Sequence, residues 1–256
     1  MSNGRVIRKN IVSLTASELA ALQDGYSRMQ AIRDNRGFNH IAGFHGTPGG
    51  YCHREPDLFL PWHRAYVYHF EQYLRDQVLT AAVPWWDWSS DTSRQTGIPT
   101  AFSSPNTANG TPNPLLKSRI NAPTANPPVD RDTVRRPRVP NQLPLPSDVA
   151  NLLSIQDFLD FSGQFNFGLH GRIHLWVGGD MSSVPFAAYD PIFYSHHCMV
   201  DRIWYLWQQR HGVNNIPRAL LSSPLPPFNL TVDDVLDISE LGYEYAVDQV
   251  VINLGV

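Results

Sequence analysis

The chain has 256 residues, 42% hydrophobic and 17% charged, enough to bury a large core in one or two domains. A net charge of −3 gives no footprint for nucleic acid or an anionic membrane surface, and no apolar run approaches the length of a membrane span. Two cysteines, Cys52 and Cys198, are too few for a disulfide framework but leave room for one bridge. The N-terminal "MSNGRVIRKN" has no apolar core of signal-peptide length, so a soluble, cytoplasmic protein is the default expectation.

In chain order, Thr15 and Glu18 form a capping box. Leu19, Leu22, Tyr26 and Met29 then recur at helical spacing, which predicts a helix to about Arg33. Glycines between Gly37 and Gly50 mark a loop. Pro61 suits the first position of the next helix. On it His63, Val67, Phe70 and Leu74 share one face, while Trp62, Tyr66, His69 and Tyr73 share another, so the helix is expected to be buried nearly all round. Residues 92–148 hold 11 of the chain's 21 prolines and read as a long Pro-rich surface excursion. Within it the arginines from Arg131 to Arg138 read as a solvated loop.

Asp148 to Phe161 returns to a helical pattern. Asp190 and Pro191 start the last long helix as N-cap and first residue, and Gly212 stops it. Phe193, His197, Val200, Trp204 and Trp207 stack on one side of it. "TVDDVLDI" and "YAVDQVVINL" carry weak strand patterns. The expected class is mainly α: one domain over residues 1–256, a four-helix-bundle core, long irregular loops and little β.

The chemistry-bearing signal is histidine, ten in all. His170 and His174 are four apart, one face of a helix, within reach of one metal ion. No glutamate follows His170, so this is not the zinc-protease pattern. His197, on an apolar helix face, is the natural third ligand. His196 lies about 100° away on that helix, which makes it core or a support behind the ligands. His45, His53 and His63 form a second triplet. Two sites of three imidazoles each would make a dinuclear centre inside a bundle. Three neutral imidazoles with open positions suit copper, zinc or iron. Taken singly, such histidines are more often packed core residues. His40, His69 and His211 are read that way or as exposed, and Cys198 as a small buried apolar group.

"FLPWHRAY", "PWWDW", "HGRIHLWVGGDM" and "DPIFYSHHCMVDRIW" resemble the two copper-binding signatures of the tyrosinase, catechol oxidase and mollusc-hemocyanin superfamily. The resemblance runs from about Arg8 to Tyr245. It implies two copper ions, one on His45, His53 and His63, the other on His170, His174 and His197. It also implies that "LGYEY" closes the domain against an arginine, here Arg8. His53 and His63 are ten apart where nine is common in the family. Cys52 directly precedes His53, whereas relatives with a Cys–His thioether separate the two by one residue. No lid domain follows Tyr245, so the site is expected to be open.

The implied activity is oxidation of ortho-diphenols or ortho-aminophenols by O2, with a small phenolic substrate and no nucleic-acid or membrane partner. The rivals are a hemocyanin-like O2 carrier and a helical protein with a structural zinc. Phe59, Trp62, Phe193 and Trp204 are expected to hold the imidazoles, and Asp201 to hydrogen-bond one of them. Hydroxylating relatives have an Asn or Asp after the first histidine of the second site and a glutamate upstream. Here Gly171 takes that place, no glutamate lies between Glu71 and Glu240, and Leu175 is expected to form part of the pocket wall. Weak monophenol hydroxylation is the expectation.

Overall fold

The computed structural model describes residues 4–52 and 55–247. The expected helical bundle forms its core. Helix α1 (Ala16–Ala31) opens with the capping box anticipated at Thr15 and Glu18. A short helix, α2 (Phe38–Ala42), leads to a glycine-rich turn. Helix α3 (Phe59–Gln77) starts two residues ahead of Pro61, which sits in the first turn where its missing N–H leaves no hydrogen bond unmade. Leu22, Tyr26 and Met29 bury against Phe70 and Leu74. Gly25 lets α1 pack tightly on α3: a Cβ there would fall 2.5 Å from Leu74 Cδ1.

The helical pattern from Asp148 to Phe161 is broken in two. Helix α4 (Pro146–Leu153) ends at Ser154, and α5 (Phe158–Phe165) starts afresh with Asp157 as N-cap, its carboxylate accepting from Asp160 N. A π-helical turn (Asn166–His170) joins α5 to α6 (Gly171–Val177). Helix α7 (Ile192–His211) begins one residue later than the Asp-Pro signal implied, and Gly212 ends it at φ 85°. Phe70 on α3 stacks on Tyr194 of α7, ring centroids 3.5 Å apart.

The Pro-rich segment is less irregular than its composition implies. It contains helices Asp91–Thr96 and Thr100–Ser103 and an antiparallel hairpin of β2 (Arg119–Ala122) with β3 (Val129–Asp132). Phe102, Leu115, Ile120 and Leu143 are buried in the main core. Of its four arginines from Arg131 to Arg138, Arg131, Arg136 and Arg138 are exposed as the solvated-loop reading implies, but two of the four are committed to ion pairs. Arg135, 9% exposed, clamps Asp190 with two guanidinium nitrogens, and Arg131 pairs with Asp180. Prolines set the loop course here, while ion pairs invisible to local sequence patterns pin it down.

The two ends of the described chain meet. Strand β1 (Val6–Arg8) pairs in parallel with β4 (Tyr243–Tyr245). This delivers Arg8 to a fully buried ionic cluster: Arg8 pairs with Glu71 and Asp201, and Arg64 with Asp201. Tyr243 and Tyr245 both donate to Asp201 Oδ2 at 2.6 Å. The strand pattern in "TVDDVLDI" is not realised, since Asp233–Val235 is a 3₁₀ turn, and residues 248–254 of the second tail pattern lie outside the described residues. Both cysteines are free and buried. Among the described residues no helix is long and apolar enough to cross a membrane.

Candidate metal centre

Four elements bring histidines to one place. The turn after α2 supplies His45, α3 supplies His63, the π turn and α6 supply His170 and His174, and α7 supplies His196 and His197. The ligating nitrogens of His45, His63 and His197 all lie within 4.8 Å of one another. So do those of His170, His174, His196 and His197. His63 and His197 stack with ring centroids 4.3 Å apart, so the two groups adjoin. His53 lies outside the described residues.

The hydrogen bonds fix how these rings present themselves. His63 Nδ1 lies 2.8 Å from Phe59 O, His170 Nδ1 3.0 Å from Asn166 O, His174 Nδ1 2.7 Å from Met181 O and His45 Nδ1 3.2 Å from Val184 O. A carbonyl oxygen only accepts, so each Nδ1 carries the proton and donates. Each Nε2 then keeps its lone pair for a cation. His174 Nε2 faces His197 Nε2 at 3.2 Å. Imidazole nitrogens on one tetrahedral ion with ~2.0 Å bonds lie about 3.3 Å apart, so this spacing suits two ligands of a single metal. Burial, reinforced by the neighbouring imidazoles, holds His196 and His197 well below the ordinary histidine range. Neutral imidazole is the form that binds metal. The donor set fits a pair of nitrogen-ligated ions.

His196 is nearer the centre than its angular offset implied. Its ring lies parallel to that of His170, 9° between planes and 5.4 Å between centroids, and neither nitrogen meets hydrogen-bond geometry with a described residue. Side chains lean from the helix axis, so a 100° separation at the backbone still lets both rings approach one region. Phe59, Trp62 and Phe193 do brace the imidazoles: Phe193 lies 4.1 Å from His197 and 4.8 Å from His45, Phe59 4.7 Å from His170 and Trp62 4.9 Å from His63. Trp204 does not. It lies under the Arg64 guanidinium, 3.6 Å from the carbon to the ring centre. Asp201 also serves no histidine. Both its oxygens are taken by Arg8, Arg64, Tyr243 and Tyr245, because the buried arginines require a counter-charge more than a neutral imidazole does.

A cavity of about 250 Å³ opens beside the centre. His45, His170 and His174 line one side, with Gly171 and Leu175 where the sequence placed them. Met181, Val184 and Ala187 form an apolar wall. The rim is open, with Phe167 81% and Leu175 55% exposed. Sequence reasoning missed Asn166 and the carbonyls of Met181 and Val184. Asn166 lines the cavity and accepts from His170 through its backbone. Its place four residues before His170 was a legible signal. The two carbonyls come from a loop with no such pattern.

Residues 35–210 match the family model for the common central domain of tyrosinase. The G-type hemocyanin of Enteroctopus dofleini, units Oda to Odg, is 32% identical over 255 residues, covering 89% of this chain and 9% of that one. Hemocyanin units G and H of Sepia officinalis are 31% identical over 254 residues, covering 88% and 42%. The chain thus spans less than half the length of these relatives. An octopus hemocyanin functional unit superposes with a TM-score of 0.80 at 30% identity, covering 94% of this chain and 68% of the other. The tyrosinase of Burkholderia thailandensis, at 21% identity, shares the fold with a TM-score of 0.83 over 96% of this chain and 75% of the other. With the family signatures, the paired histidine groups and these matches in agreement, the chain belongs to the tyrosinase family of coupled dicopper proteins and binds two copper ions.

Proposed function

We propose that this protein oxidises ortho-diphenols or ortho-aminophenols with O2, giving ortho-quinones or quinone imines. The observation carrying this reading is the open cavity of about 250 Å³ lined by His45, His170 and His174. It is narrow and largely apolar, suited to a single aromatic ring. Two coppers, when bound, supply the electron transfer between phenol and O2. His45 and His63 would hold one ion, and His170, His174 and His197 the other. The chain's own part is positional. Backbone carbonyls lock four Nδ1 protons, Phe59 and Phe193 fix ring planes, and Met181, Val184 and Ala187 exclude water from one face of the substrate.

The second reading is an O2 carrier, favoured by the hemocyanins among the relatives. The rim supports the oxidase instead, because Phe167 and Leu175 are exposed and the approach to His170 and His174 is open among the described residues. Copper analysis with a catechol assay separates the two. Quinone formation by protein holding two coppers supports the oxidase. Reversible O2 uptake without quinone supports the carrier and defeats the proposal.

A further inference from the structure

The histidine cavity does not end at its rim. A second groove, about 660 Å³, shares three of its walls, Phe167, Gly171 and Leu175. It runs between α4 and the π turn that carries His170. Its charged lining is Arg138, Arg172 and Asp148.

The charges are unequally committed. Asp148 Oδ2 accepts from Leu145 N at 2.9 Å and lies 3.6 Å from Arg172 Nη1. Arg172 Nη2 donates to Gln142 O at 3.1 Å. Arg138 has its backbone N–H fixed on Trp176 O at 2.9 Å, yet its guanidinium makes no hydrogen bond or ion pair among the described residues. The groove therefore carries an excess positive charge at an exposed guanidinium that no described residue neutralises, with two exposed apolar side chains shared with the histidine cavity.

A ring whose two ortho heteroatoms face the imidazoles turns its opposite edge toward the mouth. A substituent on that edge passes over Phe167 and Leu175 into the groove. Resting on the oxidase reading above, we propose that the groove is a subsite for an anionic tail, a carboxylate on a short apolar chain opposite the two ortho heteroatoms, with Arg138 as its specificity-determining charge. A guanidinium matches a carboxylate in two-pronged geometry. The apolar lip suits the chain that carries it.

The test uses copper-loaded full-length protein with three probes: catechol, 3-(3,4-dihydroxyphenyl)propionate and dopamine. Wild type should favour the propionate over dopamine in kcat/KM. Arg138→Gln should cut kcat/KM for the propionate by about twofold to fivefold, through KM, as expected for one exposed charge pair. Catechol, which has no tail, should be unaffected, and copper content unchanged. Arg138→Lys should keep most of the preference, and Arg138→Glu should reverse it toward dopamine. Raising the salt concentration should shrink the wild-type preference, since exposed charges are screened. Equal use of the two tailed probes, or a preference that survives Arg138→Gln while catechol is oxidised normally, overturns the subsite alone. No oxidation of catechol by protein holding two coppers overturns the oxidase reading and the subsite with it.

Discussion

His63 on α3 and His197 on α7 lie face to face, planes 14° apart, and the next residue along α3, Arg64, bonds Asp201 one turn beyond His197. The stack and the ion pair thus join the same two helices at adjacent levels. The ionic cluster touches no ligand, yet it sets the spacing at which ligands from distant parts of the chain meet. His197 falls within reach of both nitrogen groups, so its position is fixed from two sides.

Each of His63→Ala, His170→Ala, His174→Ala and His197→Ala should leave about one copper per chain and abolish oxidase turnover. Each ring supplies one nitrogen of its group, and loss of one ligand of three opens a site to water. Metal analysis after dialysis reads the stoichiometry. A His174→Ala protein that keeps two coppers and full turnover would contradict the assignment.

His53→Ala should likewise lose the first copper. His53 lies outside the described residues, but it is the one histidine between His45 and His63 in the sequence. The companion variants His40→Ala and His69→Ala should keep both ions. His40 packs edge-on against Phe44 and His69 stacks on Phe228, away from the centre. Copper loss from His69→Ala with retention in His53→Ala would reassign the ligand.

Much of the site was legible because its signals are local. His170 and His174 announce themselves by spacing, and Pro191 with Gly212 brackets the helix carrying His197. The bundle's helices follow from apolar periodicity and capping residues for the same reason. What stayed hidden depends on partners far apart in sequence. Asp201 reads as a helix-borne carboxylate near histidines, and nothing in its neighbourhood says that Arg8 and Tyr245 will claim it. Arg135 reads as one of a solvated cluster until Asp190, in a segment of its own, is placed opposite it. Trp204 shares a helix face with His197, which points it at the imidazoles, whereas the buried Arg64 guanidinium covers its ring.

Asp201→Asn should destabilise the fold at neutral pH. Burial by itself would raise the Asp201 carboxyl, but Arg64 and Arg8, with the hydroxyls of Tyr243 and Tyr245, outweigh it and hold the group below the usual carboxylate range. A depressed folded value means stability that is present above the unfolded pKa, ~3.9 for Asp, and lost as pH falls through the folded one. Removing one partner of a buried ion pair costs about 3–5 kcal/mol. Urea unfolding monitored by tryptophan fluorescence should show that loss at pH 7 and a smaller one in strong acid. A variant as stable as wild type at pH 7 would mean the cluster contributes only packing.

The final prediction concerns monophenols. Hydroxylating a monophenol requires a base near the copper to take the phenolic proton. Among the described residues lining the histidine cavity there is no aspartate or glutamate. Asp157 and Asp160, the nearest carboxylates upstream, are exposed, and Asp157 is occupied capping α5. Gly171 brings no side chain to orient water, and a Cβ at that position would meet only Asn166 O, at 3.3 Å. Asn166, at the cavity edge, carries a carboxamide, which hydrogen-bonds a phenol but does not deprotonate it. An ortho-diphenol would need less help, since it already carries its second hydroxyl and no ring hydroxylation is required. On one copper-loaded sample, catechol should be oxidised at once and tyramine slowly after a lag. Comparable rates for the two, with no lag, would show that a base outside this lining serves the reaction.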